Sequence, residues 1–127
     1  MKTLRVIALL AILAAGALVS CSLFGAEFVG TWTYSAGGQT ESLVFTTTTF
    51  QINDSGIMTG SMSMNINTYD EAANHIQATV TSTSGAYTVI PNGTIFYISY
   101  AISGNTMQMA QSTITYGTPS GAAYTKQ

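Results

Sequence analysis

Few residues in this 127-residue chain are equipped for chemistry. Cys21 is the one thiol and His75 the one imidazole. A lone cysteine has no partner within the chain for a disulfide. It is left as a nucleophile or as a small buried hydrophobe. His75 follows Asp70 and Glu71 closely. That group could contribute to a metal site, or the imidazole could serve a serine as base. Zinc sites combine three or four Cys, His or carboxylate ligands, and this stretch is poor in them. His75 also falls on the polar side of the segment carrying Ile76. The expectation is therefore no catalytic residue, no metal and no cofactor.

Met58, Met62, Met64, Met107 and Met109 form a second set. All fall on the expected inward faces of alternating segments. Methionine is unbranched and pliable, and it is over-used at promiscuous apolar surfaces. With Trp32 and Tyr100 these residues are the expected lining of a pocket for a small apolar ligand. Gap-filling in a closed core is the plainer alternative, since eight-stranded barrels are often filled by their own side chains. Seven tyrosines (34, 69, 87, 97, 100, 116 and 124) either form a contact patch or cover a barrel end.

The elements that must position these residues have a period of two. Phe28, Gly30, Trp32 and Tyr34 share one face. Leu43 and Phe45, then Phe50 and Ile52, continue the pattern. Met58, Gly60, Met62, Met64 and Ile66 alternate with small polar residues, which reads as a half-buried strand. Asn53-Asp54-Ser55-Gly56 reads as a turn. Residues 69–74 read as a helical turn or loop. Ile76, Ala78 and Val80 form another strand, and Tyr87, Val89 and Ile90 a short one, ended by Pro91-Asn92-Gly93. Residues 94–102, apolar on both faces, read as the most buried strand. Met107 with Met109, Ile114 with Tyr116, and Tyr124 complete the series. Eight or nine short strands with tight connections are antiparallel neighbours. Closure removes their edges, so the expected fold is all-β: an up-and-down meander closing into a barrel of about eight strands.

Lys2 and Arg5 precede an apolar run from Val6 to Val19, interrupted by Gly16, the pattern of a secretory leader. At about 14 residues the run is shorter than the roughly 20 that span a bilayer. Leu18-Val19-Ser20-Cys21 resembles the bacterial lipobox at all four positions. The resemblance implies cleavage before Cys21, diacylglycerol on its sulfur and acylation of the new amine. Several acyl chains anchor a protein stably. The expected organisation is a signal peptide (1–20), a lipidated cysteine with its tether (21–27) and a barrel domain (28–127). Ser22, by resemblance to enteric sorting, favours the outer membrane. A tether to Glu27 reaches about 20 Å when extended, which keeps the domain near the membrane surface.

Gly30-Thr31-Trp32 resembles the opening strand of the lipocalin-like (calycin) barrels, where Gly-x-Trp places the indole at the closed base. Residues 100–109, Tyr-Ala-Ile-Ser-Gly-Asn-Thr-Met-Gln-Met, resemble the late hairpin of small bacterial lipocalin-like lipoproteins, and Tyr124-Thr125-Lys126 their last strand. The C-terminal helix of true lipocalins is missing. Avidin-type biotin sites use several tryptophans and this chain has one. The disulfide usual in periplasmic lysozyme inhibitors has no counterpart. After the leader, five acids (Glu27, Glu41, Asp54, Asp70 and Glu71) face one base, Lys126. Nucleic-acid binding needs a basic patch, and none is present. An outer-membrane barrel fits less well, because its strands run about 9–11 residues and the alternate faces here are rich in Thr and Ser. The reading is a non-catalytic, lipid-anchored envelope barrel for a small hydrophobic ligand. Its alternatives are a surface interaction or inhibitor module and a structural envelope protein.

Overall fold

Alternating apolar residues separated by Gly, Asn and Ser turns can bury one face only by curling that face inward. A computed structural model describes residues 26–127, and they form eight strands. These are β1 (Gly30–Ala36), β2 (Gln39–Phe45), β3 (Thr49–Ser55), β4 (Gly60–Asp70), β5 (His75–Gly85), β6 (Ile95–Ser103), β7 (Thr106–Ser112) and β8 (Ser120–Lys126). Each pairs antiparallel with the next, and β8 returns to β1, so the sheet closes into an up-and-down barrel. Cys21, the leader and the start of the tether lie outside the described residues.

The register stacks inward side chains in layers. Trp32, Leu43, Ile52 and Met62 are successive partners across β1 to β4. Below them lie Gly30, Phe45, Phe50 and Met64; above them lie Tyr34, Glu41, Asp54 and Gly60. Phe45 and Phe50 stack with centroids 4.0 Å apart. Ile76, Ala78, Val80, Phe96, Ile98, Tyr100 and Met107 complete the buried core. β6 carries four buried residues, the most of any strand, as its apolar faces led one to expect.

The N-terminal segment plugs the lower end. Phe28 is fully buried and meets Phe45, Tyr69 and Tyr100 edge-on, with centroids 5.4–5.7 Å away. Its carbonyl accepts a hydrogen bond from Trp32 Nε1 at 2.9 Å. Ala26 is buried too, and its carbonyl accepts from Val29 N. The tether expected to run to Glu27 is thus already packed at Ala26.

Two expected strands are not strands. Residues 86–94 form successive turns, in which Tyr87 N donates to the Ser84 carbonyl and Ile90 N to that of Tyr87. Ile114 and Tyr116 sit in the β7–β8 connection, where Ser112 Oγ caps Ile114 N. The acidic stretch at 69–74 resolves into the end of β4 and a tight turn through Asn74, whose φ is 55°. The turn expected at 53–56 begins later, because β3 runs on through Asp54 to Ser55.

Candidate functional site

The apolar interior gathers most of the expected ligand-lining residues. Trp32, Met62, Met64 and Met107 are fully buried, Tyr100 is buried, and Met109 packs on the core from its margin. Met58 is not inward. It lies in the β3–β4 turn, 55 % exposed, where Gln39 clasps its backbone through Nε2 to the carbonyl and Oε1 from the amide. The inward alternation of this segment starts only at Gly60. The buried methionines fill space between aromatic and branched side chains, and no cavity opens among the described residues. Lys126 Nζ lies over the Trp32 ring, 5.0 Å from its centroid. Burial, reinforced by Glu71, Glu27 and Asp70, pushes the Tyr100 hydroxyl up to about 12.

The upper layer is polar. Glu41 and Asp54 are register partners on β2 and β3. Tyr124 donates its hydroxyl to Glu41 Oε1. Tyr87 reaches in from the β5–β6 connection and donates to Asp54 Oδ2 at 2.5 Å. Tyr34 leans on Tyr124, with ring centroids 5.9 Å apart. Asp54 is 9 % exposed, and its Oδ1 is buried with no donor. Burial holds Glu41 above the ordinary carboxylate range; the Tyr124 bond opposes this, and the neighbouring Asp54 adds to it. Burial, followed by the bond to its carboxylate, raises both Tyr87 and Tyr124. Gly60 makes room for this layer. A Cβ there would meet the Ser84 carbonyl at 2.7 Å and Ala86 N at 2.8 Å. Such an array can hold a proton between carboxyls and orient phenols as donors.

This polar layer was missed by sequence reasoning, yet the signal was available. Glu41 stands two residues before inward Leu43, and Asp54 two after inward Ile52. Strand parity therefore turns both carboxylates inward. Tyr87 carried no such signal, because its placement depends on turns.

His75 begins β5 on the outer wall, and its ring stacks flat on Tyr116 at 3.9 Å. Tyr97 meets Tyr116 edge-on, and Ser99 Oγ donates to the Gly117 carbonyl at 2.6 Å. The β7–β8 connection thus covers this part of the wall, which buries Ser99. Asp70 is the register partner of His75, yet its Oδ1 accepts from Ala73 N. Among the described residues no three His, Cys, Asp or Glu side chains gather at one point.

No family model, curated protein or solved structure matches the chain. The eight-stranded antiparallel barrel, with Trp32 buried at its N-terminal end, is compatible with the lipocalin-like architecture.

Proposed function

We propose that this chain is a lipid-anchored protein of the bacterial envelope whose lipocalin-like barrel works without catalysis, as a surface interaction module. One observation carries the choice between binding modes. The interior is packed with the barrel's own side chains, while Ile57, Met58, Val89 and Ile114 stand 55–84 % exposed on connections. By the up-and-down topology the β3–β4 and β5–β6 connections, which carry Ile57, Met58 and Val89, share one end. Ala26, the first described residue, lies at the other. Lipidation of Cys21 would therefore present the tips away from the membrane. Scattered exposed apolar residues are ordinary; several at one end suit a partner's surface.

The test is site-specific photo-crosslinking from position 89 in cells, with position 77 on the outer wall as control. A discrete adduct from position 89, lost on replacing Ile57 and Met58 with Ser, is the expected result. Equal labelling from both positions would remove the reading. The second reading, a small apolar ligand among Met62, Met64, Met107 and Met109, draws on the pliability of those side chains. Saturable binding of an apolar fluorophore to the natively folded protein would favour it.

A further inference from the structure

We propose that Glu41 and Asp54 share one proton and act as a latch at the barrel's upper end: while the proton is held, Tyr87 pins residues 86–94 across that end, and its loss frees them. The geometry demands a donor. Each carboxyl spends one oxygen on a tyrosine, Glu41 on Tyr124 and Asp54 on Tyr87. Asp54 Oδ1 is then buried with nothing to receive from. Its register partner is a second carboxyl, and directly opposed Cβ atoms in a ladder lie about 4.5–5.5 Å apart. A proton between the two supplies the missing donor and removes one of two like charges that cannot both ionise cheaply at such range.

No cation relieves the pair. The groups facing it are Tyr34 from β1, Tyr124 from β8 and Tyr87 from the β5–β6 connection, while β4 presents Gly60. Among the described residues the only basic side chains are His75, stacked on Tyr116, and Lys126, over Trp32. The connection has little else to hold it down. Its backbone bonds are mostly local turns, apart from Ala86 N to the Thr59 carbonyl at its start and the reciprocal pair at its end, Gly93 N to the Val80 carbonyl and Val80 N to that of Thr94. The Tyr87 hydroxyl ties it to a strand 33 residues away.

The sign follows from Glu41, whose carboxyl is raised by burial. A raised carboxyl favours the folded state below its unfolded value and loses that contribution as pH climbs through the folded one. The departing proton goes to solvent. The dianion left behind gains by hydration, and the connection that excludes water is what must move. This latch belongs to the chain alone and would stand if no partner bound the tips.

Amide exchange and the Glu41 carboxyl carbon resonance, followed together on the purified protein from acid to mildly alkaline pH, test it. Glu41 should titrate above the ordinary carboxylate range. In step with it, protection at 84–94, corrected for intrinsic exchange, should fall by up to about tenfold per pH unit. The Val29 amide at the lower end, which donates to the Ala26 carbonyl, should not follow. Glu41→Gln places a non-titrating amide donor against Asp54 Oδ1 and should make protection at 84–94 independent of pH. Tyr87→Phe should leave those amides poorly protected throughout. Glu41 titrating in the ordinary range, or Glu41→Gln keeping the wild-type pH dependence, overturns the latch. If Glu41→Gln does not fold, the wild-type titration alone decides.

Discussion

At the scale of single residues, Trp32 is the side chain with most to lose. It is fully buried, its Nε1 is satisfied by Phe28, and Lys126 covers its ring. Trp32→Ala should cost about 3–5 kcal/mol in a denaturant melt. The native emission should be blue-shifted and poorly quenched. The methionines predict a smaller effect. Met62→Leu roughly conserves volume and should cost under about 1.5 kcal/mol. A filled interior adds that apolar-probe binding stays unsaturable for wild type and variant alike; saturable binding would show an interior that opens. Tyr100 gives an alkaline prediction. Its hydroxyl is raised from 10 to about 12, so it favours folding below 10 and ceases to do so as pH nears 12. Ultraviolet titration should show it ionising after the ordinary tyrosines. Inward residues such as Trp32, Leu43 and Met62 were legible because strand parity is a purely local property. Met58 misled because it continues that parity into a turn. Asp54 was hidden by its own chemistry, since Asn-Asp-Ser-Gly is turn-forming wherever it occurs.

At the scale of elements, a strand was readable where the chain alternates and its neighbour holds it in register. β2, β3, β4 and β5 were visible this way. The 86–94 connection was not, although Tyr87, Val89 and Ile90 are apolar. Its path is set by Gly85, with φ of 59°, and by the reach of Tyr87 to Asp54. A Cβ on Gly85 would stand 2.2 Å from the Thr59 carbonyl. Gly85→Ala should therefore destabilise the protein by more than the roughly 1 kcal/mol at which ordinary glycine effects run, measured as a shift in denaturant midpoint. Ile114 and Tyr116 escaped for a similar reason. What holds Tyr116 is a stacking partner, His75, that lies 41 positions earlier in the chain and is invisible to a local reading.

At the scale of the whole molecule, the proposed anchor has a direct test at Cys21, the last residue of the lipobox-like run. Cys21→Ala should abolish fatty-acid labelling and leave an uncleaved or mislocalised precursor. Label retained by that variant would remove the anchor. Closure of the barrel rests on a short seam. β1 and β8 meet through Trp32 with Lys126 and Thr33 with Thr125, extended by Gln127 N to the Thr31 carbonyl. These partners come from the first and last strands, so the ring is a matter of timing as well as geometry. While the ribosome makes what lies between, the outward edge of β1 has nothing to pair with. At about 5–20 residues per second that interval lasts several seconds. Throughout it the nascent protein is an open sheet, and an open sheet recruits strands from its neighbours. Whatever keeps such chains apart must keep hold until β8 emerges.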